Sequence, residues 1–189
     1  MTNMKKNFPL DKAYRLLNHG PVVLISSTLD GKNNIMPIAW QSPVDLDPTR
    51  LALIIGDHSH TFKVVGKTKE LVVNLPTVEL VDKVFSCGKC HGHEVDKFRK
   101  FNLTPEKASK VKAPLIGECV ANLECKVVDD KMMDTHNIFI VEVVAAWVEE
   151  GAYDEFLRVD KPNVKTLHHL GADVFTVPAE IIRAKKINV

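Results

Sequence analysis

The first half of the chain alternates short apolar runs with turn residues, which is the pattern of β-strands. Residues 22–28 are apolar and partly β-branched, and residues 29–32 (Leu-Asp-Gly-Lys) form a hairpin turn signal. The partner strand is predicted at residues 34–40. Because Pro37 within it cannot donate to a strand ladder, we expect this strand at a sheet edge or at a bulge.

Buried strands and short helices follow. Residues 51–55 and 71–75 are predicted to be fully buried strands, judged by their length and the turns beside them. Between them, residues 57–66 carry an N-cap candidate and a terminal glycine, which predicts a short helix. Further helices are predicted at residues 11–17, from Thr77 to about Phe85, and from Thr104-Pro105-Glu106 onwards.

The second half is richer in strands. Residues 121–127 alternate, which predicts an inward set and an outward set of side chains. The inward set is Ala121, Leu123, Cys125 and Val127, and the outward set is Asn122, Glu124 and Lys126. Residues 137–148 form an apolar run whose Ile, Val and Phe content favours a strand. The sequence therefore predicts a mainly β protein, an antiparallel barrel with inserted helices, spanning residues 1–189 as one domain.

Composition and charge exclude several classes of protein. Of the 189 residues, 45% are hydrophobic and 26% charged, with a formal net charge of +1. This balance is typical of a globular domain and excludes a disordered chain or the basic surface of a nucleic-acid binder. The first residues carry two lysines without an apolar segment behind them, and no apolar stretch reaches the roughly 20 residues of a membrane span. We therefore expect a cytoplasmic protein with no nucleic-acid or membrane partner.

The common nucleotide-binding and hydrolase motifs do not occur in the sequence. It has no G-x-G-x-x-G fingerprint, no P-loop and no G-x-S-x-G elbow, so a nicotinamide would have to bind without a Rossmann unit. Ser59 and Thr61, with Lys63 close by, form a candidate anion site at the start of the helix predicted at residues 57–66. Because Ser and Thr also cap helices that bind nothing, a plain helix cap is the alternative.

The densest group of reactive side chains is Cys87-Gly88-Lys89-Cys90-His91-Gly92-His93. Its start matches a c-type haem motif, but haem attachment requires export and no export signal precedes it. The cysteines and histidines are also zinc ligands by type. They are crowded within seven residues, however, and the other two cysteines are not spaced as a second knuckle, so we predict no bound metal. A loop with reduced thiols is the remaining interpretation, and a redox role for Cys87 and Cys90 stays open.

Several segments in chain order carry a more specific signal than any single motif. They are Asn34-x-Met36-Pro37-Ile38-Ala39-Trp40-x-Ser42-Pro43-Val44, Asp47-Pro48, Thr61, Val73-Asn74-Leu75-Pro76, Cys87-Gly88, Val95-Asp96-Lys97-Phe98, Leu103-Thr104, Ala113-Pro114-x-Ile116-x-Glu118-Cys119, Leu123-Glu124-Cys125 and Leu170-Gly171-Ala172-Asp173-Val174-Phe175. Together they resemble the flavin reductase-like, FMN-binding split-barrel family, above all its flavoredoxin branch. The resemblance covers nearly the whole chain.

This resemblance implies an antiparallel split β-barrel that binds FMN, usually as a homodimer with the flavin near the subunit interface. Ser59 and Thr61 would hold the phosphate, and Lys97 would add a cation. His136 is the candidate catalytic residue, because an imidazole can move a proton near neutral pH. The full set of implied cofactor-binding residues is Asn34, Trp40, Ser42, Ser59, Thr61, Lys97, His136 and Phe175.

The activity implied is that of an NAD(P)H-dependent flavin reductase, which passes electrons through bound FMN to free flavin, iron or a redox protein. Two alternatives remain: an electron carrier without nicotinamide activity, and a non-catalytic FMN- or metal-binding module. His93 stands where relatives tend to carry an arginine. Because histidine lacks the guanidinium fork that grips a phosphate, this departure favours NADH over NADPH.

Overall fold

The sheet begins with the hairpin that the sequence predicts. In the computed structural model, which describes residues 20–185, β1 (Val23–Leu29) pairs with β2 (Lys32–Ile38). Asp30 and Gly31 between them have φ angles of 50° and 75°, as a type I′ turn requires. β2 forms one edge of the sheet, so the expectation from Pro37 is confirmed. The helix predicted at residues 11–17 lies outside the described residues.

Seven strands make up the main sheet. Besides β1 and β2 these are β3 (Gln41–Leu46), β4 (Thr49–Ile54), β5 (Glu70–Leu75), β8 (Ala121–Asp129) and β9 (Ile138–Val148). Two short ribbons add β6 (Pro105–Glu106) with β7 (Leu115–Ile116), and β10 (His168–Gly171) with β11 (Val174–Thr176). The order in the main sheet is β2-β1-β5-β8-β9-β4-β3, with each neighbouring pair antiparallel.

The outermost strands of this order, β2 and β3, follow each other along the chain. Two residues, Ala39 and Trp40, separate them. Because consecutive Cα atoms are 3.8 Å apart, the end of β2 and the start of β3 lie within about 11 Å of each other. A sheet whose two edges are joined by so short a link has to curl until those edges nearly meet. The fold is therefore the antiparallel split β-barrel predicted from the sequence.

The curled sheet encloses an apolar core. Ile25 of β1, Leu53 of β4, Leu71 of β5 and Phe139 of β9 are fully buried in it. The Phe139 ring packs edge-on against Phe62, with centroids 5.5 Å apart. β5 is buried on both faces, as predicted, but residues 51–55 alternate between buried and half-exposed positions. That prediction was wrong because an antiparallel strand can leave one of its faces near solvent.

Within the described part of the chain, four α-helices accompany the sheet: α1 (His60–Thr68), α2 (Val81–Cys87), α3 (Lys97–Lys100) and α4 (Met133–His136). The side chain of Ser59 caps α1 by accepting a hydrogen bond from the Phe62 N–H at 3.0 Å. α1 runs past the predicted terminal Gly66 and is capped by Lys69, whose φ is 58°. A 3-10 turn at Val78–Leu80 leads into α2. Within residues 20–185, no helix is long and apolar enough to cross a membrane.

The helix predicted to begin at Thr104 is absent from the fold, and that prediction was wrong. Pro105 and Glu106 form β6 instead. The N–H and hydroxyl of Thr104 donate to the Glu118 carboxylate at 3.0 and 2.8 Å. The Thr104 hydroxyl, which would have capped a helix by accepting a backbone N–H, is thus held by a carboxylate fourteen residues away.

The segment between α3 and β8 covers the outer face of β5 and β8. The Asn74 side-chain oxygen accepts hydrogen bonds from the Ile116 N–H at 3.0 Å and from the Asn122 amide at 2.8 Å. Asn122 and Glu124 are therefore buried, not outward as predicted. The alternation of residues 121–127 correctly predicts a strand, but the segment between α3 and β8 buries the polar face of that strand as well.

Glu124 is the most densely bonded side chain of this cover. Its carboxylate is fully buried and accepts hydrogen bonds from the backbone N–H groups of Ser109, Lys110 and Val111 and from the Trp147 indole. Burial opposes ionisation, but these hydrogen bonds outweigh it and lower the pKa of Glu124 to about 2. The carboxylate thus fixes the loop at residues 109–111 to the sheet.

Replacing this carboxylate should cost stability in a pH-dependent way. Glu124→Gln should lower the free energy of unfolding at pH 7 by about 2–3 kcal/mol, because an amide cannot accept all of these donors. Since the folded-state pKa is depressed, the carboxylate stabilises the fold above the unfolded pKa and loses that effect as pH falls towards 2. Urea unfolding at pH 7, 5 and 3 should show that the difference in unfolding free energy between Glu124→Gln and wild type becomes smaller as the pH falls. Glu150→Gln, at an exposed position, is the control. A difference in unfolding free energy that stays constant with pH would contradict the stabilising role of the Glu124 carboxylate.

Candidate functional site

A polar cavity of about 510 Å³ opens between β2, the N-terminus of α1 and the loop after α2. Its walls come from β2, from Gly56, from residues 58–61 and 87–92, and from Lys97 of α3. Lysine and histidine side chains line it, and none of the described lining residues is an aspartate or a glutamate. Such a lining creates a positive potential and suits an anionic ligand.

Lys97 is the buried cation of this cavity. The residue is 3% exposed, and its Nζ donates hydrogen bonds to the carbonyl oxygens of Ile35 at 2.8 Å and Cys87 at 2.7 Å. Burial lowers the pKa of Lys97. Among the ion pairs within residues 20–185, none includes this ammonium. Two neutral carbonyls compensate a buried charge only in part, so an anion in the cavity would stabilise it.

Asn34 and Ser27 each carry a buried polar atom without a partner among residues 20–185. Asn34 is 2% exposed, and its Nδ2 donates to Thr61 Oγ1 at 2.8 Å. Its Oδ1, like the Oγ of Ser27 opposite it on β1, has no hydrogen-bond partner within the described part of the chain. An unsatisfied buried acceptor costs about 1–3 kcal/mol. A ligand that donates a hydrogen bond would remove that cost at Asn34.

A glycine brings the loop after α2 onto Asn34. A Cβ atom on Gly92 would lie 2.0 Å from Asn34 Oδ1, which is far inside contact distance. The loop therefore approaches β2 this closely because residue 92 has no side chain. The histidine rings of this region also lie close together. The centroid of the His93 ring is 5.9 Å from that of His60 and 5.5 Å from that of His91.

The N-terminus of α1 faces the same cavity. The first turn of a helix leaves backbone N–H groups without intrahelical partners and carries the positive end of the helix dipole. Ser59, His60 and Thr61 of this turn line the cavity. Burial above all, and then the neighbouring basic side chains His93, Lys63 and Lys97, lower the pKa of His60. A bound anion would act in the opposite direction and favour the protonated imidazole.

The structure brings four of the eight predicted cofactor-binding residues together. Asn34, Ser59, Thr61 and Lys97 line the polar cavity. Phe175 lines a smaller, apolar cleft of about 180 Å³. The cleft adjoins the polar cavity, because Pro37, Gly88 and Lys89 line both.

The remaining three predicted residues lie outside both spaces. Trp40 is half exposed in the link between β2 and β3. Ser42 is exposed on β3, where its hydroxyl donates to the Pro43 carbonyl at 3.1 Å. His136 is exposed at the end of α4, with its Nδ1 at 2.8 Å from Thr135 Oγ1. A single copy of the chain does not gather these three with the other five, and their roles remain predictions.

Sequence reasoning missed several residues of the cavity wall. His60 stands between the two predicted anion ligands, and its position alone could have suggested it. His91 and Gly92 belong to the Cys/His loop, which no sequence signal connects to β2. Among residues 20–185, no group of three or more His, Cys, Asp or Glu side chains is arranged to hold a metal ion.

Comparison with known proteins identifies the family. The profile of the flavin reductase like domain matches residues 15–168. The chain belongs to the flavin reductase-like family. The uncharacterized protein YddH of Escherichia coli is 29% identical over 180 residues, which cover 93% of this chain and 95% of YddH.

Solved structures agree with this assignment. An FMN-binding domain of a flavin reductase-like enzyme from Shewanella baltica matches with a TM-score of 0.83 at 25% identity, over 97% of this chain and all of that chain. Flavoredoxin from Methanosarcina acetivorans matches with a TM-score of 0.80 at 26% identity, over 96% and 95% of the two chains. The family and the split-barrel fold predicted from the sequence are confirmed.

Proposed function

We propose that this member of the family binds FMN in the polar cavity and transfers electrons through it as an NAD(P)H-dependent flavin reductase. The observation that carries the proposal is the buried ammonium of Lys97, which lacks a carboxylate partner among the described residues and faces the N-terminus of α1. The phosphate monoester of FMN would supply a negative charge for this ammonium. A ribityl hydroxyl of FMN would be a suitable donor for Asn34 Oδ1.

The hydroxyl groups at the start of α1 suit a phosphate. Ser59 Oγ accepts the Phe62 N–H, and Thr61 Oγ1 accepts the Asn34 amide. Each hydroxyl therefore keeps its own proton to donate to a phosphate oxygen. Ser59, Thr61 and Lys97 would hold the phosphate, and the α1 dipole adds to the attraction.

The protein's own contribution to the reaction is binding, orientation and charge. FMN, when bound, supplies the two-electron chemistry. Phe175 in the adjoining apolar cleft offers a flat wall for a ring, at the place where the polar cavity becomes apolar. We retain His136 as the residue proposed to move a proton, from the resemblance alone, since in one copy of the chain it lies outside the cavity.

An electron carrier without nicotinamide activity is the second candidate. The likeness to a flavoredoxin at 26% identity favours it. Both candidates use the same FMN site and differ only in the electron donor. Reduction by a nicotinamide therefore separates them.

We further propose that two copies of the chain pair through β3. This edge strand exposes apolar side chains, with Val44 52% and Leu46 89% accessible. Exposed apolar edge strands invite pairing with another chain. Trp40 directly precedes β3, and Ser42 lies on it. A second copy paired with β3 would therefore cover two predicted cofactor-binding residues that do not line the polar cavity.

FMN binding should depend on Lys97 through the phosphate. Titrating flavin-free protein with FMN, followed by flavin fluorescence, should show Lys97→Met binding about 10- to 100-fold more weakly, the range of one or two charge-assisted hydrogen bonds. Riboflavin, which has no phosphate, should bind wild type and variant alike. Lys100→Ala, at an exposed site on α3, is the control. FMN affinity that is equal in wild type and Lys97→Met would rule out this phosphate site.

A nicotinamide should reduce the FMN-loaded protein. Anaerobic mixing with NADH should bleach the flavin absorption within seconds, since enzyme turnover is typically on the order of 1–10³ per second. NADPH should act more slowly, because His93 provides no guanidinium fork for its extra phosphate. If dithionite bleaches the flavin and neither nucleotide does, the electron carrier becomes the better assignment.

The protein should be a dimer that an acidic residue on β3 disrupts. Sedimentation equilibrium should give twice the mass of the chain, and Leu46→Asp should shift the protein towards monomer because it places a charge in an apolar interface. Val128→Asp makes the same change at an exposed position on β8 and should leave the dimer intact. A monomeric wild type would refute the pairing.

A further inference from the structure

Cys87 ends α2, and Cys90 follows it after a turn of two residues. The first of these two, Gly88, keeps a right-handed helical conformation with φ −77° and ψ −13°. The Lys89 N–H donates to the Ser86 carbonyl at 3.1 Å, which extends the turn towards Cys90. Side chains three residues apart on a helix have Cβ atoms about 5–6 Å apart. A small local closure therefore brings the two sulfurs to bonding distance.

The Cys90 side chain leans in the direction that such a closure requires. Its Sγ lies 3.7 Å from the Ser86 carbonyl oxygen, so it points back over the preceding turn, as helical side chains do. Cys87 directly follows Ser86, whose carbonyl oxygen the Cys90 sulfur contacts. Both cysteines line the polar cavity.

The two thiols differ in access. Cys87 is fully buried, and burial raises the pKa of its thiol to about 12 in spite of the nearby Lys97 ammonium. Cys90 is half-buried and lines the cavity beside the basic side chains of Lys89 and Lys97. A partly exposed thiol in cationic surroundings is the usual setting of a reactive cysteine. An external reagent can therefore reach Cys90 first.

The other two cysteines lack this setting. Cys119 packs in the same apolar cluster as Cys87, and Cys125 lies in the barrel core. Both are buried, neither lines the polar cavity, and burial raises the pKa of each thiol. Unlike Cys87, neither of them has a cavity-lining cysteine three residues away through which a reagent could reach it.

We propose that Cys87 and Cys90 form a redox-active dithiol that closes to a disulfide by exchange with a low-molecular-weight disulfide. The Cys90 sulfur bonds to one sulfur of the incoming disulfide, whose S–S bond breaks and releases one thiol. The Cys87 sulfur then bonds to the Cys90 sulfur and releases the second thiol. The pair loses two electrons, the small disulfide gains them, and the two cysteine protons end on the released thiols.

The dithiol also belongs to the wall of the proposed flavin site. The carbonyl of Cys87 accepts one of the two hydrogen bonds from Lys97 Nζ. Closure of the disulfide would therefore affect the position of Lys97, which carries the buried charge of the cavity. The exchange itself depends on the turn that ends α2 and not on FMN. It can therefore be measured in flavin-free protein, and its outcome is separate from that of the FMN titration.

Thiol mapping across a redox series tests the proposal. Full-length, flavin-free protein is equilibrated in glutathione buffers of rising oxidised share, quenched in acid, alkylated and digested with trypsin. Because trypsin cuts after Lys83, Lys89 and Lys97, the expected disulfide joins the peptide of residues 84–89 to that of residues 90–97. Two of the four free thiols should disappear together in this linked pair and return in reduced glutathione.

Variants identify the role of each cysteine. Cys90→Ser should keep its remaining thiols reduced, and Cys87→Ala should stop at a glutathione mixed disulfide on Cys90. Cys119→Ala should behave like wild type and serves as the control. Three results would overturn the proposal: four thiols that stay reduced throughout, a disulfide between Cys87 and Cys119, or a mixed disulfide on wild-type Cys90 that never resolves. The wild-type map and Cys90→Ser decide the matter even if Cys87→Ala does not fold.

Discussion

The buried ammonium of Lys97 is the interaction on which the candidate site depends. It joins the edge strand β2 to the end of α2 through the carbonyls of Ile35 and Cys87. These two hydrogen bonds hold the two sides of the cavity together, and among residues 20–185 the ammonium has no carboxylate partner. The same contact thus shapes the cavity and selects the charge of its ligand.

Two buried polar clusters, one on each face of the sheet, differ in how well they are satisfied. Around Asn74 and Glu124, hydrogen bonds join the covering segment to the sheet, and a satisfied network of this kind makes the cover rigid. Around Asn34 and Ser27, two buried acceptors lack partners within residues 20–185. An unsatisfied cluster costs stability, so its place beside a cation-lined cavity is consistent with a site that a ligand completes.

The loop after α2 combines two kinds of chemistry. Gly92 lets it lie against Asn34, where it covers one side of the proposed flavin site. Cys87 and Cys90 at its start form the proposed dithiol on the same wall. Because Lys97 donates to the backbone of Cys87, the thiol chemistry and the anion site share one anchoring contact.

The sequence by itself determined several local elements and the family. The Asp30-Gly31 turn, the edge position of the strand with Pro37 and the cap at Ser59 follow from interactions within a few residues, and the ordered segments identified the split barrel. Tertiary structure decided what depends on distant parts of the chain. Burial of Glu124 requires a loop fifteen residues earlier in the chain, and the meeting of Asn34 with Thr61 requires the sheet to curl beneath α1. Hydrophobic periodicity tells which residues share a face of a strand, but it does not tell what will cover that face.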